Sequence, residues 1–467
     1  MSRPNLLYLF TDQQSHDAMS CAHNADLHTP HMDALAARGV RFTQAHCAFP
    51  LCTPSRAAMI SGQHPAALGV TANTIDWTDA QRIQTLGHLF RNAGYRTAWG
   101  GKWHIGPGGI SYPDPDKDPD FAFEPICPFN DQQLPKAAAD FITDAPKHNQ
   151  PWLLVASFDN PHNICEHGRN QPLPWGEVEI SPNPADWPSL PANYPPAPEE
   201  PQAITRFRDH NPRTQHAAAY TPDRWRRYRA VYYRLVEKVD AQLGQVLATL
   251  DASGQTDNTV IVFASDHGDA TAAHQLAQKW TLYDESVRVP FIIADPTHTT
   301  RAAQTEATLI NAGLDLLPTL CGLAGITAPP GLPGRDLTPL LHQPGAALNH
   351  PRDHLILETQ LQLGDGLASA GRAVVTNDHK YTLYDFGQHA EQLTNRHADP
   401  GEMVNLATRS QHRHTLLKHR TLLFEHLRDH KDPFGINPTY GPNTVALADW
   451  GHVDLTQPPP TDYHSTG

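Results

Sequence analysis

Continuously apolar runs alternate with amphipathic segments along most of the chain. The runs lie at Asn5–Phe10, Trp152–Ala156, Thr259–Ala264 and Phe291–Ala294. A strand that is apolar at every position is typical of a parallel sheet covered on both faces. Helices are predicted between the runs, from Pro30 through Leu35, after Cys52–Arg56 up to Gly62, and at about Thr85–Asn92. This alternation predicts an α/β fold with a doubly wound, mostly parallel sheet flanked by helices.

Two further helices are predicted in the second half of the chain. Thr221 and Pro222 supply an N-cap and a first-turn proline. The apolar positions that follow recur at three and four residues and indicate one buried stripe, made of Trp225, Tyr228, Tyr232, Leu235, Val239, Leu243, Val246 and Leu250. Thr305–Leu323 is predicted to form another buried helix, interrupted at Pro318.

The remaining segments lack this alternation. Residues 172–201 contain ten prolines, which predicts a long surface loop near a substrate cleft. Short β-like runs and a helix at about 411–430 follow residue 353 and predict a smaller C-terminal α+β subdomain with an antiparallel sheet. We therefore predict a catalytic α/β domain at 1–350, the C-terminal subdomain at 351–450 and an extended tail at 451–467.

Composition and charge narrow the functional classes. The 467 residues include 35 Lys+Arg and 49 Asp+Glu, a formal net charge of −14. An acidic chain without a basic tract is not expected to bind nucleic acid. No apolar run approaches the ~20 residues that span a bilayer, and no signal peptide opens the sequence. We expect a soluble protein, cytoplasmic or periplasmic, without a membrane partner.

The most informative segment is Cys52-Thr53-Pro54-Ser55-Arg56. It begins a predicted helix, where backbone N–H groups and the helix dipole favour an anion. The alternative interpretation of this segment is a buried free cysteine beside an ordinary proline turn, and the segment taken alone does not exclude it. Other segments accompany it, several of them directly after predicted strands: Asp12-Gln13, Lys102-Trp103-His104, Asn160-Pro161-His162, Asp266-His267-Gly268, Lys279-Trp280-Thr281-Leu282-Tyr283 and Asp399-Pro400-Gly401-Glu402-Met403-Val404-Asn405-Leu406.

Together these segments resemble the type I sulfatases of the alkaline-phosphatase superfamily over nearly the whole chain. The pattern is most similar to that of bacterial carbohydrate sulfatases. Cys52–Arg56 matches the family's Cys-x-Pro-x-Arg signature, whose cysteine is oxidised to formylglycine by a formylglycine-generating enzyme. The hydrated aldehyde attacks sulfur, and loss of a proton from its second hydroxyl then expels sulfate. The resemblance implies a sulfuric ester hydrolase.

The resemblance also implies a divalent metal. Its ligands would be Asp12, Gln13, Asp266 and His267, with Cys52 completing the shell. Oxygen-rich shells suit Ca²⁺ or Mg²⁺, and an imidazole also admits Mn²⁺. We expect Ca²⁺, because most of these side chains offer oxygen. The family has Asp-Asp and Asp-Asn where this chain has Asp12-Gln13 and Asp266-His267, which leaves open the metal and the choice of sulfur over phosphorus.

The matched basic residues receive catalytic roles by the same resemblance. Arg56 and Lys102 would hold the aldehyde hydrate and neutralise sulfate oxygens. His104 would remove the proton of the second hydroxyl, while His162 and Lys279 would bind sulfate and protonate the leaving alcohol. Taken singly, each basic residue could be a solvated charge and each histidine a structural one. Six of them within six matched motifs favour the catalytic roles.

The substrate is the least specified part of the prediction. Polar residues after the matched Pro-His are candidates for a sugar or carboxylate subsite, or for an ordinary solvated loop: Asn163, Glu166, His167 and Arg169. The chain is acidic overall, and its predicted positive charge is limited to one small recess. Most of the surface would therefore repel a long polyanion, so we expect exo action on short sulfated oligosaccharides. A phosphonate or phosphate ester hydrolase with the same nucleophile is the alternative, and a non-catalytic sugar-binding protein is a third. The oligomeric state is left open.

Overall fold

A sheet of eight strands lies at the centre of the protein. We describe it from a computed structural model, which covers residues 3–75, 77, 83–106, 109–112, 120–296, 303–342, 346, 348, 350–387 and 389–434. In chain order the strands are β1 (Asn5–Asp12), β2 (Val40–Phe42), β3 (Ala45–His46), β4 (Arg96–Gly101), β5 (Glu124–Cys127), β6 (Trp152–Pro161), β7 (Thr259–Ser265), β8 (Phe291–Ala294), β9 (Gln304–Glu306), β10 (Ile310–Asn311), β11 (Leu355–Gly364), β12 (Leu367–Val375), β13 (His379–Tyr384) and β14 (Glu391–Asn395).

The central sheet is mostly parallel, which confirms the predicted fold class. Its strand order is β5-β4-β6-β1-β7-β8-β2-β9. Only β8 runs antiparallel to its two neighbours, β7 and β2. The other pairings are parallel, so β4, β6, β1 and β7 present their carboxyl ends side by side.

Helices cover both faces of this sheet. They are α1 (Pro30–Arg38), α2 (Cys52–Ser61), α3 (Leu86–Asn92), α4 (Leu134–Asp144), α5 (Ile164–Gly168), α6 (Gln202–His210), α7 (Pro222–Ala252), α8 (Asp284–Val287), α9 (Leu316–Leu323), α10 (Thr338–His342) and α11 (Arg413–His430). Alternate residues of β1 enter different cores, with Leu6 and Tyr8 on one face and Leu7 and Leu9 on the other. This two-sided burial explains why the strand is apolar at every position.

The long helix α7 has the predicted start and stripe. Thr221 Oγ1 accepts a hydrogen bond from Arg224 N at 3.2 Å, and Pro222 occupies the first turn. Trp225, Tyr232 and the other members of the apolar stripe are buried on the α7 side of the sheet. The helix therefore forms one wall of the core.

The prediction of a single helix over Thr305–Leu323 is wrong. The segment contains β9, β10 and then α9. Asn311 Oδ1 accepts from Gly313 N at 3.1 Å and Leu314 N at 3.0 Å, and this turn delays the helix until Leu316. Pro318 lies in the first turn of α9, where its missing N–H is not needed, and it does not interrupt the helix.

The C-terminal part has the predicted α+β architecture, an antiparallel sheet β11-β12-β13-β14 followed by α11. Leu357 and Leu361 of β11 pack into the core of the larger sheet. On the opposite face, Ile356 and Tyr381 pack in a separate cluster with Leu423 of α11. The boundary predicted near residue 350 stays a prediction, and the tail predicted at 451–467 lies outside the described residues.

The proline-rich segment has the irregular structure predicted for it. One short 3₁₀ turn, Pro184–Asp186, lies within residues 172–201, and no strand or α-helix lies there.

None of the helices in the described part of the chain combines the length and apolar character needed to cross a membrane.

Candidate active site

The carboxyl ends of four adjacent strands place predicted site residues together. Asp12 ends β1, and Asp266 directly follows β7. Lys102 follows β4, and His162 follows β6. Because these strands are neighbours, residues far apart in the sequence meet at the edge where open α/β sheets bind ligands.

Helix α2 brings the predicted nucleophile to this edge. Cys52 is its first residue, Arg56 lies about one turn later, and all ten residues of the helix are buried. The backbone at Leu51 is extended, so the chain turns sharply into the helix at Cys52. The dipole at the start of the helix favours negative charge at the cysteine. The N–H groups of Thr53 and Ser55 are already bonded, to Asn73 Oδ1 at 3.0 Å and to Leu51 O at 2.9 Å.

Arg56 joins the two carboxylates of the site. Its Nη2 donates to Asp12 Oδ2 and its Nε to Asp266 Oδ2, both at 2.8 Å. Its Nη1 donates to Lys102 O at 2.9 Å and Ser157 Oγ at 3.0 Å. The planar guanidinium thus fixes the relative positions of β1 and β7. Most of its donors are already bound to the protein, so it would act on a sulfate mainly through its charge.

Cys52 lies among cations. Its Sγ is 3.1 Å from Lys279 Nζ and 3.3 Å from His267 Nε2. Burial and the neighbouring Asp12 raise the pKa of the thiol, but Lys279 and Lys102 outweigh them and hold that pKa well below its usual value. The position therefore stabilises an electron-rich group.

The donor atoms of Asp12, Cys52, Asp266 and His267 fit a divalent cation. One donor atom from each of these buried side chains lies within 4.8 Å of all the others. His267 Nδ1 is 3.1 Å from Gly268 O; donation to this carbonyl leaves the lone pair of Nε2 directed at the group. Two carboxylates and an imidazole enclosed together are a suitable donor set for a metal.

Gln13 lies beside this group, but its amide is bonded elsewhere. Its Oε1 accepts from Lys279 Nζ at 2.7 Å, and its Nε2 donates to Asp269 Oδ2 at 2.7 Å. Ligation of a metal by Gln13 therefore stays a prediction. Asp269 was missed at the level of sequence, where the available signal was its position three residues after Asp266.

Asp159 in β6 is a second residue that the motifs missed. Lys102 Nζ bridges Asp12 Oδ2 at 2.8 Å and Asp159 Oδ1 at 2.9 Å. Asn163 Nδ2 and Trp175 Nε1 donate to Asp159 Oδ2 at 2.6 Å and 3.0 Å. This carboxylate therefore positions Lys102 and anchors the proline-rich loop. The signal in the sequence was an acidic residue near the end of a buried parallel strand.

The two motif histidines differ in their surroundings. His104 Nδ1 is buried and has no hydrogen-bond partner within the described residues. Burial lowers the pKa of His104, so the ring is neutral near pH 7 and can accept a proton. The His162 side chain is 22% exposed, with Nδ1 3.8 Å from Asp159 Oδ1. His104 is thus enclosed beside Cys52, whereas His162 is partly exposed.

Lys279 is held by a strained loop. Lys279 belongs to the loop at residues 271–280. Six non-glycine residues of this loop have positive φ, namely Thr271, Ala272, His274, Gln275, Gln278 and Trp280. Such conformations cost on the order of 1 kcal/mol each and are typical of functional sites. Arg208 Nε donates to His274 O at 3.0 Å, and His274 N donates to Asn193 O at 2.7 Å. These contacts hold the loop that carries Lys279.

The predicted substrate residues separate into different environments. Asn163 is bound to Asp159, as described above, and Arg169 Nη2 pairs with Glu166 Oε1 at 2.6 Å. His167 instead lines a cavity of about 480 Å³, together with Trp187, Arg224, Arg227 and Tyr228. Tyr228 Oη donates to Asp269 Oδ2 at 2.9 Å, the same oxygen that accepts from Gln13. One wall of the cavity is thus linked by hydrogen bonds to the cysteine site.

Comparison with known families agrees with this geometry. Residues 4–326 match the family described as Sulfatase, and residues 272–429 match N-sulphoglucosamine sulphohydrolase, C-terminal. The chain belongs to the sulfatase family. It is a type I sulfatase of the alkaline-phosphatase superfamily and a sulfuric ester hydrolase, which confirms the predicted family and enzyme class.

Individual relatives cover most of the chain. This sulfatase is 31% identical to a Delta 4,5-hexuronate-2-O-sulfatase of Bacteroides thetaiotaomicron, over 92% of this chain and 90% of that protein. It is similar to the solved structure of a 2-O GAG sulfatase, with TM-score 0.79, 29% identity and coverage of 92% and 93%. A phosphonate monoester hydrolase of Agrobacterium radiobacter has the same fold, with TM-score 0.72, 22% identity and coverage of 92% and 97%.

Proposed function

We propose that this sulfatase removes sulfate from a sulfated sugar, acting on short oligosaccharides from a chain end. The observation that carries the proposal is the convergence of Cys52, Arg56, Lys102 and Lys279 beside a buried group of metal donors. Such an enclosed arrangement of cationic side chains is best suited to bind an anion. The hexuronate and GAG sulfatases named above support a sugar as the remainder of the substrate.

Two groups complete the site. Asp12, Asp266 and His267 would hold a divalent cation, proposed to be Ca²⁺, which would polarise the sulfate. Residue 52, converted to formylglycine, would supply a geminal diol as the nucleophile. The low pKa of the Cys52 thiol supports this, because the same cations favour any oxyanion at that position.

The surrounding side chains have separate tasks. Lys102, fixed between Asp12 and Asp159, and Lys279, beside the Cys52 thiol, would neutralise sulfate oxygens. His104, neutral and without a hydrogen-bond partner on Nδ1 in the described part of the chain, would accept the proton of the second hydroxyl. His162, the more exposed of the two histidines, would with Lys279 protonate the leaving alcohol.

The outer cavity supports a sugar-binding role. Trp187 offers an aromatic face, and Arg224 and Arg227 offer positive charge, within a space of about 480 Å³. Small-molecule sites commonly have volumes of ~300–1,000 Å³. The net charge of −14 would repel a long polyanion from most of the surface. Both features favour a short sulfated oligosaccharide.

A substrate panel tests the proposal. Purified protein with formylglycine at residue 52 would be given defined sulfated mono- and oligosaccharides, their parent polymers, an aryl sulfate and an aryl phosphonate. Sulfate release would be measured by ion chromatography, and chain products would be separated by size. The expected result is fastest release from short sulfated oligosaccharides, with Cys52→Ala as the inactive control.

The panel also separates the alternatives. Faster desulfation of polymer than of its oligosaccharides would contradict exo action and leave the sulfatase reaction intact. Faster cleavage of the aryl phosphonate than of every sulfate would contradict the proposed sulfated-sugar substrate.

A further inference from the structure

The orientation of the Gln13 amide follows from the chemistry of its two neighbours. Its Nε2 lies 2.7 Å from Asp269 Oδ2, and its Oε1 lies 2.7 Å from Lys279 Nζ. All three side chains are buried. A carboxylate accepts hydrogen bonds, and an ammonium group can only donate them. The amide nitrogen therefore faces Asp269 and the amide oxygen faces Lys279, so both neighbours fix the same orientation.

The backbone of Gln13 leaves only this amide free to turn. Residue 13 has a positive φ of 74°. Its N donates to Asp266 Oδ1 at 3.1 Å, and its O accepts from Tyr232 Oη at 2.8 Å. With the main chain held on both sides, the freedom that remains is rotation of the terminal amide, whose torsion has only a weak intrinsic preference. Asp269 removes this freedom.

Asp269 is itself held by other parts of the fold. Its Oδ1 accepts from Thr271 N at 2.7 Å, and its Oδ2 accepts from Tyr228 Oη at 2.9 Å as well as from Gln13. Its backbone N donates to Ser15 Oγ at 3.0 Å. The carboxylate thus has a fixed direction, and the amide of Gln13 has to match it.

Gln13 Oε1 makes the shortest polar contact of Lys279 Nζ among the described residues. The other distances from Nζ are 3.1 Å to Cys52 Sγ and 3.8 Å to Asp12 Oδ1. The Lys279 side chain is 3% exposed, so water cannot readily replace a lost acceptor. An ammonium group buried with fewer partners is costly and moves toward solvent. The position of Lys279 beside residue 52 therefore depends on the Gln13 oxygen.

We propose that Asp269 is a positioning residue of the active site: it directs the oxygen of the Gln13 amide toward Lys279, and this contact holds the lysine beside residue 52. The catalytic consequence rests on the role proposed above for Lys279. An oxygen is also the atom through which an amide ligates Ca²⁺ or Mg²⁺. The same orientation would therefore serve a metal to which Gln13 contributes.

Two isosteric substitutions reverse the orientation or oppose it. In Asp269→Asn, Thr271 N keeps the new amide oxygen at the Oδ1 position, so an N–H₂ group takes the place of Oδ2. Gln13 would then turn its oxygen toward this donor and its nitrogen toward Lys279, which would displace the lysine. Gln13→Glu alone would instead set two carboxylates about 2.7 Å apart, where they repel each other.

The double variant Gln13→Glu/Asp269→Asn restores the pattern of donors and acceptors. The new carboxylate at position 13 can accept both from the new amide and from Lys279, and the net charge equals that of wild type. The matched control is Gln13→Glu/Asp17→Asn. It has the same net charge and the same change at position 13, but it alters an exposed aspartate.

Hydrolysis of an aryl sulfate is the first measurement, made with formylglycine-bearing protein and the divalent cation that gives the highest wild-type rate. Each single variant should lower kcat/KM about 100-fold. The Gln13→Glu/Asp269→Asn variant should recover to within about tenfold of wild type, and the Asp17 control should stay at the level of Gln13→Glu. Asp269 acting only as a general stabilising residue would leave the double variant as impaired as Asp269→Asn.

Urea unfolding of the metal-free proteins is the second measurement and does not depend on turnover. The unfolding midpoint should fall in each single variant and recover in the Gln13→Glu/Asp269→Asn variant. If Asp269→Asn yields no folded protein, recovery of folded protein in the double variant is the expected result. A double variant no more active and no more stable than Asp269→Asn would overturn the proposal. Wild-type activity of Lys279→Ala would contradict only the role proposed for Lys279, because the midpoints would still decide the orientation.

Discussion

The inner and outer halves of the active site are built on different principles. In the inner half, Asp12, Arg56 and Lys102 are buried and each is bound to other charged groups of the site. In the outer half, Arg227 lines the 480 Å³ cavity and is exposed, and within the described residues it makes no hydrogen bond or ion pair. The inner geometry comes from the ends of adjacent strands, whereas the outer surface comes from α5, α7 and the proline-rich loop.

On the proposed function, the inner half would carry out the reaction and the outer half would select the substrate. Four paired strand ends can vary little without breaking the sheet, so the residues for anion binding and nucleophilic attack stay together. Loops and helix ends can change without disturbing that arrangement. Substitutions in the inner half should therefore abolish turnover or destabilise the fold, and substitutions in the outer half should change KM.

The largest effect is expected for Cys52→Ser. Without the cysteine no formylglycine can form at the site, and turnover of an aryl sulfate should fall on the order of 1,000-fold or more. Stopped assays with purified protein measure this, and peptide mass spectrometry reports the state of residue 52 in the active wild type. Full activity with an unmodified cysteine would contradict the proposed nucleophile.

Asp12→Asn should impair both activity and stability. The substitution removes the carboxylate that is shared by Arg56 Nη2 and Lys102 Nζ, each at 2.8 Å. Loss of one partner from a buried ion pair costs about 3–5 kcal/mol in the free energy of unfolding. Denaturant unfolding of metal-free protein measures this loss, with the exposed Asp17→Asn as control. Equal midpoints for the two variants would show that the buried network adds no stability.

Arg227→Gln should act on substrate binding alone. The side chain lines the outer cavity, whose lining does not include Cys52, so kcat on an oligosaccharide should change little while KM rises about tenfold. An aryl sulfate, which is too small to use the cavity, should show neither change. A fall in kcat on both substrates would place Arg227 in the inner half.

The smallest effect concerns pH. Burial and the nearby Arg227 lower the pKa of His167 from 6.5 to about 4, so its ring stays neutral between pH 5 and 8. KM in wild type should therefore show no titration of this group in that range. The pKa of His167 is 6.5 in the unfolded chain and about 4 in the folded chain. The unfolded chain therefore binds more protons in this range, and the free energy of unfolding falls as the pH drops from 6.5 to 4. In His167→Gln that fall should be smaller, measured by denaturant unfolding across the range.

Local patterns predict part of the inner half. Strands that are apolar at every position, such as β1, are sufficient to predict the sheet and to place Asp12 and Asp266 at the ends of its strands. No strand was predicted before Lys102, which was assigned to the site only through the resemblance to the family. What the sequence misses follows from contacts between distant segments. Asp159 has no motif of its own, and its importance appears only when Lys102 and Trp175 are brought against it.

The helix predicted over Thr305–Leu323 failed for a related reason. Its periodicity is compatible with a helix, but the segment instead forms the edge strand β9, which gains hydrogen bonds from its neighbour β2, and no local pattern encodes this pairing. Conversely, α7 was predicted correctly because a cap and a regular stripe are local properties. The outer cavity combines α5, α7 and the long loop, so its shape depends on how these elements meet.

The burial of Cys52 has a consequence for the order of events in biosynthesis. In the folded chain its side chain is 0% exposed and lies beneath the strand ends and Lys279. A separate maturing enzyme could not insert its own reactive groups without unfolding α2 and the core around it. The proposed oxidation of this residue would therefore have to precede folding of the segment. Expression hosts in which folding outpaces oxidation would accumulate stable, inactive protein that later exposure to the maturing enzyme cannot repair.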